Sequence, residues 1–218
     1  MIKVVLIDID NTLLDFDAFV KKTLKDGFEH FQLGEYKPCL YDIFEEENGR
    51  IWRQLEKKEI TFDELQKERF HRFFSRIHIS FDGVQFEKYF RDSLYNCAIL
   101  ECGAKDIVEY LYPKYELYIA SNGPFAQQKH RMELSGLSNY FKDMYISGEI
   151  GASKPSCDFF NEAMHRMNQN REVPIENHEV IIIGDSLTSD MAGGLQAGMQ
   201  TCFYNKSSLK ELPKTLDF

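Results

Sequence analysis

The chain has 218 residues, of which 43% are hydrophobic and 28% are charged, and its formal net charge is −9 at pH 7 with a pI of about 5.2. This is an ordinary globular composition, long enough for one domain or for one core with a smaller insertion. The acidic balance and the lack of a basic stripe argue against a binder of nucleic-acid polymers, and the negative charge disfavours an anionic membrane surface.

The cysteines and the N-terminus indicate the compartment. The five cysteines include no C-x-x-C pair and no Cys/His cluster at zinc spacing, so we expect buried free thiols in a reducing compartment. The N-terminus lacks the charged, apolar and small-residue regions of a signal peptide. No apolar run approaches the ~18 residues of a membrane span. We therefore expect a cytoplasmic protein.

The N-terminal half begins with one strand and continues with helices. Residues 2–7 are apolar at nearly every position, which predicts a strand buried on both faces, as in a parallel sheet. Residues 16–98 show helical patterns rich in Phe and in charge, and the aromatic residues, Phe70 among them, are expected to form the helices' own core. In ITFDELQKERF, Thr61 and Glu64 predict a capping box at a helix start.

From about residue 100 onward, predicted strands alternate with predicted helices. Strands are predicted at YELYIASNG, DMYISGE, HEVIIIGDS and MQTCFYN. Helices are predicted at residues 124–134, SKPSCDFFNEAMHRM and SDMAGGLQAG. The glycine pair of SDMAGGLQAG is expected to allow close packing against the sheet. The alternation predicts an α/β fold with a Rossmann-like parallel-sheet core formed by residues 1–15 and 99–218, interrupted by a helical insertion at residues 16–98.

Polar residues follow each of four predicted strands where the strand ends. In chain order they are Asp8 and Asp10; Ser121, Asn122 and Gly123; Lys154; and Asp185 with Asp190. In open α/β sheets, ligands bind beyond the carboxyl ends of the strands at the point where the strand order reverses. We therefore expect these groups to converge in one crevice.

The charges of this crevice indicate a metal ion. Its four aspartates sum to −4 if all are ionised, and Lys154 contributes +1. Carboxylates at such short distances repel one another, so they should not all ionise unless positive charge compensates them. A divalent ion removes the conflict, and an all-oxygen ligand set favours Mg²⁺ over zinc or copper. With Mg²⁺ the expected total is −1.

The remaining donors of the crevice suit a phosphate. Ser121 supplies a hydroxyl, and Asn122 and Gly123 supply backbone N–H groups at the start of a predicted helix, whose positive end favours an anion. Lys154 is a compact cation suited to a phosphate oxygen. The sequence therefore predicts one site that takes both Mg²⁺ and a phosphate group.

The motifs DIDNT, SNG, SKP and GDSLTSD resemble, in order, the four motifs of the haloacid dehalogenase-like superfamily in its phosphatase branch. The resemblance implies that Asp8 is a nucleophile that forms an aspartyl-phosphate, which water then hydrolyses. It implies that Asp10 protonates the leaving oxygen and then activates that water. The helical insertion resembles the family's alpha-helical cap, which closes over the site and selects the substrate.

The same resemblance implies the ligands of the site. For Mg²⁺ they are Asp8, the backbone carbonyl of Asp10, Asp185 and, in support, Asp190. For the phosphoryl group they are Ser121 and Lys154, to which the donors of the SNG turn add Asn122.

A closer resemblance, to the pyrimidine 5′-nucleotidase subgroup, lies in GDSLTSDMAGGLQAGMQTCFYN and in fragments of the cap. It implies removal of phosphate from nucleoside monophosphates, including deoxyuridine, thymidine and non-standard pyrimidine forms. The cap residues that we expect to contact such a substrate are Asn48, Trp52 and Arg69. Trp52 alternatively packs in the core of the cap, and Arg69 alternatively forms a surface ion pair.

The expected function is thus that of a Mg²⁺-dependent phosphomonoester hydrolase acting on a small phosphorylated substrate. The alternatives on the same fold are a phosphatase or phosphomutase for sugar phosphates or small phospho-acids, since cap residues decide that choice. A 2-haloacid dehalogenase also uses an aspartate nucleophile but needs neither Mg²⁺ nor a general acid two residues on, so Asp10 argues against it. A non-enzymatic phospho-receiver domain is much shorter and carries its phosphoacceptor on a middle strand.

Overall fold

A computed structural model of the protein describes residues 1–206. The contacts within the chain divide it into two compact units. The α/β unit contains Met1–Asp15 and the described chain from Leu100 onward, and the helical unit contains Phe16–Ile99. Among residues 1–206, no helix has the length and the apolar character needed to span a membrane.

The strands, in chain order, are β1 (Val4–Ile7), β2 (Glu116–Ser121), β3 (Asp143–Ile146), β4 (Val180–Gly184) and β5 (Gln200–Phe203). The helices are α1 (Phe16–His30), α2 (Cys39–Glu56), α3 (Phe62–Arg76), α4 (Gly83–Tyr95), α5 (Ala104–Leu111), α6 (Phe125–Leu134), α7 (Ser147–Ile150), α8 (Cys157–Asn168) and α9 (Ala192–Gln196). Two 3₁₀ turns lie at Ser138–Tyr140 and Asn177–Glu179, and a π-helical turn lies at Leu187–Met191.

The five strands form one parallel sheet in the order β3-β2-β1-β4-β5, which confirms the predicted Rossmann-like α/β fold. All of β1 is buried, as its apolar sequence predicts, although the strand begins at Val4 and not at residue 2. The strand order reverses at β1, since β2 and β3 add on one side and β4 and β5 on the other. The ends of β1 and β4 therefore flank the position at which such sheets bind ligands.

The glycine pair of α9 allows close approach on two sides. A Cβ atom on Gly194 would overlap the side chain of Ile182 in β4, so this glycine does lie against the sheet as predicted. A Cβ atom on Gly193 would overlap the ring of Phe160 in α8. The prediction is wrong for Gly193, because its close neighbour is a helix and not the sheet.

The helical insertion leaves and re-enters the α/β unit through paired segments. Leu14 and Leu100 form an antiparallel bridge. The ammonium of Lys206 lies 2.5 Å from a carboxylate oxygen of Asp15 and 2.6 Å from one of Glu101. Residues on both sides of the insertion are therefore tied together within the α/β unit.

The core of the helical unit is mostly aromatic, as predicted. The ring of Phe70 is fully buried, and its centroid lies 4.7 to 6.2 Å from those of five other phenylalanines. These rings are mostly tilted or edge-to-face, the arrangements that aromatic quadrupoles favour.

The predicted capping box at the start of α3 is confirmed. Thr61 Oγ1 accepts a hydrogen bond from the backbone N–H of Glu64 at 3.2 Å. The Glu64 carboxylate accepts one from the backbone N–H of Thr61 at 2.8 Å. These reciprocal bonds satisfy two donors that a helix N-terminus otherwise leaves unpaired.

The five cysteines are free, but the expectation that they are buried is wrong. Four are exposed and Cys97 is half-buried. Cys39 and Cys157 are the first residues of α2 and α8, where the helix surface is solvated.

Candidate active site

Carboxylates at the ends of β1 and β4 lie side by side. The backbone N–H of Asp8 donates to the carbonyl oxygen of Ile183 at 2.9 Å, so the sheet register sets Asp8 level with the end of β4. Asp8, Asp185 and Asp190 each offer a carboxylate oxygen, and these oxygens lie within 4.8 Å of one another. Three of the aspartates that the sequence places at strand ends are therefore brought together.

Burial and the repulsion between carboxylates raise the pKa values of Asp8 and Asp185. Burial raises the pKa of Asp8 to about 7, against the opposing effect of Lys154 and with a contribution from Asp190. Burial likewise raises the pKa of Asp185 to about 8, and the charges of Asp8 and Asp190 add to the rise. A cation among these oxygens would displace the protons, and an all-carboxylate donor set fits Mg²⁺.

Lys154 lies between two of these carboxylates and is only 2% exposed. Its Nζ lies 2.7 Å from Asp8 Oδ1 and 2.5 Å from Asp190 Oδ1, and it donates to the carbonyl oxygen of Ala120 at 2.7 Å. Burial alone would lower the pKa of Lys154, but the charges of Asp190 and Asp8 raise it. The ammonium is thus held as a cation between the ends of β1 and β2.

Asp190 is oriented by the turn that precedes α9. One carboxylate oxygen accepts the backbone N–H of Ser186 at 3.1 Å, and the other contacts Lys154. A Cβ atom on Gly184 would overlap this carboxylate, so only glycine allows Asp190 to approach the end of β4. Asp190 therefore orients Lys154 in addition to belonging to the acid group.

The SNG turn after β2 also supports Lys154. Asn122 Oδ1 accepts the backbone N–H of Lys154 at 2.9 Å, and Asn122 Nδ2 donates to the carbonyl oxygen of Lys154 at 3.0 Å. The backbone N–H of Gly123 donates to Ser147 Oγ at 2.9 Å. The expectation that this N–H faces a phosphate is therefore wrong, because α7 supplies its acceptor.

Asp10 stands apart from the three-acid group and contacts α6. Its Oδ2 accepts a hydrogen bond from Gln128 Nε2 at 2.9 Å, and its Oδ1 lies 2.7 Å from a guanidinium nitrogen of Arg131. Gln128 Nε2 also donates to Ser121 Oγ at 3.0 Å. One amide therefore joins the predicted acid Asp10 to the predicted phosphate ligand Ser121.

Sequence reasoning missed Gln128, Arg131 and Thr12. Gln128 and Arg131 are three residues apart on α6, so they share a helix face, and both are 1% exposed. Two long polar side chains on a buried helix face were the available signal. Thr12 Oγ1 is buried and has no hydrogen-bond partner among residues 1–206, which leaves the hydroxyl of the DIDNT motif available to a ligand.

Arg131 changes the charge balance of the site. The sequence predicts a total of −1 from the four aspartates, Lys154 and Mg²⁺. Arg131 adds a second buried cation next to Asp10, so the same groups with Mg²⁺ sum to zero. A site that is neutral with its metal repels a phosphate dianion less than a negative one would.

The candidate substrate residues Asn48, Trp52 and Arg69 lie in the helical unit. Arg69 binds the carboxylate of Glu87 through two hydrogen bonds of 2.7 and 3.0 Å, and it also donates to Asn48 Oδ1 at 3.4 Å. The alternative of a surface ion pair is wrong, because both charged side chains are buried. Trp52 is half-buried. Contact of these residues with a substrate stays a prediction.

The chain is similar to known hydrolases over nearly its whole length. The sequence profile of the haloacid dehalogenase-like hydrolase family matches residues 5–204. The pyrimidine 5′-nucleotidase PynA of Streptococcus pneumoniae is 32% identical over 95% of this chain and 86% of its own. The HAD-hydrolase YfnB of Bacillus subtilis is 32% identical over 98% of this chain and 88% of its own. A crystal structure of YfnB bound to magnesium matches with a TM-score of 0.86 at 31% identity, covering 98% of this chain and 91% of that one.

Proposed function

The chain belongs to the haloacid dehalogenase-like hydrolase family, and on that premise we propose that it is a Mg²⁺-dependent 5′-nucleotidase for pyrimidine nucleoside monophosphates. The observation that carries the proposal is the setting of Asp8, which is 2.7 Å from Lys154 and grouped with two further carboxylates. The 32% identity to a pyrimidine 5′-nucleotidase supports the substrate class.

In the first half-reaction, Asp8 acts as the nucleophile. Its carboxylate attacks phosphorus, and the bond from phosphorus to the 5′-oxygen breaks as the aspartyl-phosphate forms. Asp10 gives its proton to the departing 5′-oxygen, which leaves as the nucleoside hydroxyl. Lys154 and Ser121 bind the phosphoryl oxygens and hold the phosphorus against Asp8. Asn122 fixes the backbone of Lys154 for this task.

In the second half-reaction, water attacks the phosphorus of the aspartyl-phosphate. Asp10, now ionised, takes a proton from that water. The bond between phosphorus and the Asp8 carboxylate breaks, which releases inorganic phosphate and restores Asp8. One residue therefore acts first as an acid and then as a base, which suits its partial exposure at 31% of the side chain.

The residues that would hold Mg²⁺ are Asp8, the backbone carbonyl of Asp10, Asp185 and, in support, Asp190. The grouping of three carboxylates within 4.8 Å supports this set. When bound, the ion supplies positive charge that offsets these carboxylates and the phosphate dianion. The YfnB structure, at 31% identity, is described as bound to magnesium, which also supports the choice of metal.

The proposal also assigns a role to the helical insertion. Residues 16–98 act as the substrate-selecting cap, with Asn48, Trp52 and Arg69 as its substrate contacts. The buried pairing of Arg69 with Glu87 and Asn48 supports a fixed polar arrangement there, because a guanidinium with two partners has few free rotamers.

The experiment is a phosphate-release screen of the purified protein, with Mg²⁺ and with EDTA. The substrates are UMP, dUMP, TMP, CMP, AMP, ribose 5-phosphate and phosphoglycolate. We expect the highest kcat/KM for the pyrimidine monophosphates and no release in EDTA. A higher kcat/KM for the sugar phosphate or the phospho-acid would overturn the substrate class. Equal release in EDTA would overturn the metal requirement, and no release from any ester would overturn the hydrolase assignment.

A further inference from the structure

We propose that Gln128 and Arg131 of α6 are a positioning pair, which fixes the Asp10 side chain in the place from which it can give its proton to the leaving oxygen. The inference rests on the proposed function, because it takes Asp10 as the acid. Both residues act through Asp10, so neither is assigned a direct role on the substrate.

The first step of the argument is the orientation of the Gln128 amide. Its Oε1 accepts a hydrogen bond from Arg131 at 2.8 Å, so its nitrogen is the atom left to face Asp10 and Ser121. That nitrogen donates to Asp10 Oδ2 at 2.9 Å and to Ser121 Oγ at 3.0 Å. Arg131 therefore fixes which end of the amide faces the site, and a neutral amide links the acid to the phosphate ligand.

The second step is the direct contact of Arg131 with the acid. A guanidinium nitrogen lies 2.7 Å from Asp10 Oδ1, while Gln128 holds Oδ2. Each carboxylate oxygen carries two lone pairs, so one contact per oxygen leaves positions that can carry the transferred proton. Oδ1 is buried and accepts no hydrogen bond among residues 1–206, so the ion pair and the Gln128 bond fix the carboxyl group. The side chain as a whole is 31% exposed, which leaves its other atoms open to a substrate.

The third step is the cost of burying these groups. Arg131 and Gln128 are each 1% exposed, and an unpaired buried cation or amide is strongly unfavourable. A core that served only stability would be served as well by apolar residues at these positions. The polar ends of both side chains contact Asp10, so burial of these groups is matched to that residue.

The fourth step is the part of the reaction that the pair affects. A general acid is effective only when its carboxyl group is held within hydrogen-bonding distance of the oxygen that it protonates. Loss of this placement lowers the rate only when the leaving oxygen needs a proton. The 5′-oxygen of a nucleoside is a poor leaving group without one, whereas 4-nitrophenolate leaves readily as the anion.

The experiment compares kcat/KM for UMP and for 4-nitrophenyl phosphate, both with Mg²⁺. This quantity covers steps up to phosphoryl transfer to Asp8 and is not affected by the later hydrolysis. We expect Arg131→Met to lower kcat/KM for UMP by about 10²-fold and for 4-nitrophenyl phosphate by less than tenfold. Asp10→Asn should show the same selectivity, and Arg131→Lys, which keeps the charge, should recover part of the loss.

A matched control removes another arginine ion pair of the α/β unit. Arg171 pairs with Glu116 at the opposite, N-terminal end of β2. Arg171→Met should lower stability and leave the ratio of the two kcat/KM values as in the wild type. Gln128→Met should lower both values, because it also releases Ser121, but should lower the value for UMP further.

The outcomes separate this inference from the proposed function. An equal loss on both substrates in Arg131→Met, with a selective loss in Asp10→Asn, would show that Arg131 is structural and overturn the inference alone. An Asp10→Asn variant without selectivity would overturn the acid role itself. If Arg131→Met does not fold, the substrate ratio of Gln128→Met decides, and a ratio equal to that of the wild type contradicts the pair.

Discussion

The two units of the protein treat buried charge in opposite ways. In the helical unit, the buried guanidinium of Arg69 binds the buried carboxylate of Glu87 through two hydrogen bonds. The same guanidinium lies over the rings of Phe70 and Phe90. In the α/β unit, Asp8, Asp185 and Asp190 lie together, one ammonium contacts two of them, and burial raises the pKa of Asp8 and Asp185.

In the first arrangement each buried charge has one partner of opposite sign, and in the second the carboxylates outnumber the ammonium that contacts two of them. A balanced pair costs little once formed, and its removal is felt as lost stability. An excess of carboxylates at strand ends costs stability in the free protein, and under the proposed function a metal ion and a phosphate would offset that cost. We therefore expect substitutions in the aromatic core of the helical unit to lower stability and substitutions in the acid group to lower activity.

We expect the largest loss of activity from Asp8→Asn in the acid group. We expect kcat for phosphate release to fall by at least about 10⁴-fold, because the amide cannot attack phosphorus. The fold should be intact, since asparagine keeps the shape, and circular dichroism checks this. Unchanged activity in the folded variant would defeat the nucleophile assignment.

Asp10→Asn should have the next largest effect. Single-turnover quench experiments should show slower formation of the phosphoryl-enzyme and slower hydrolysis of it, each by roughly 10² to 10⁴-fold. Both steps slow because the same carboxyl group serves both. A variant with altered substrate affinity but normal rates of both steps would show that Asp10 is not the acid and base.

Phe70→Ala should lower the stability of the helical unit. Phe70 is fully buried and contacts five phenylalanine rings, so its removal should cost about 3 to 5 kcal/mol of unfolding free energy in urea titrations. Val84→Ala, at a side chain 47% exposed, is the control and should change little. Equal losses in the two variants would mean that the aromatic core is not what stabilises this unit.

The free energy of unfolding of the metal-free protein should depend on pH because of the buried carboxylates. The pKa of Asp8 is raised to about 7 and that of Asp185 to about 8, so the folded state binds protons more tightly than the unfolded state. This stabilisation is fully present below about pH 4, near the ordinary pKa of an aspartate, and without metal it is lost progressively as the pH rises from there through 7 to 8.

Mg²⁺ competes with these protons, so it should raise the melting temperature more at pH 8.5 than at pH 6. Asp185→Asn should flatten the pH dependence in the metal-free protein. A metal-free protein that grows more stable between pH 6 and pH 8.5 would contradict the account of the acid group.

Thr61→Ala should have the smallest effect. Loss of the capping box should cost about 1 kcal/mol in the same urea titrations and leave kcat unchanged. Glu64→Ala should cost a similar amount, and the double variant should cost less than the two together, because each bond of the box supports the other. Strict additivity would argue against a reciprocal box.

Local patterns made most of the fold predictable. The capping box of Thr61 and Glu64 depends on residues three apart, and β1 depends on a short apolar run. The strand-end aspartates could be placed together because parallel strands share an edge. Each of these inferences needs only neighbours in sequence or one rule of topology.

The rest depends on contacts that sequence spacing does not encode. Gln128 and Arg131 meet Asp10 across more than a hundred residues, and only the docking of α6 reveals it. The N–H of Gly123 is taken by Ser147, because α7 follows β3 closely enough to reach the SNG turn. Tertiary placement of helices thus decides the supporting contacts of the site.

The most direct test of the central claim is chemical trapping of the aspartyl-phosphate. The enzyme is mixed with UMP and Mg²⁺, quenched in acid within the first turnover and reduced with borohydride, which converts an acyl phosphate of aspartate to homoserine. Peptide mass spectrometry should find homoserine at position 8, only when substrate is present, and at no position in Asp8→Asn. Full turnover with unmodified Asp8 at every quench time would contradict the account.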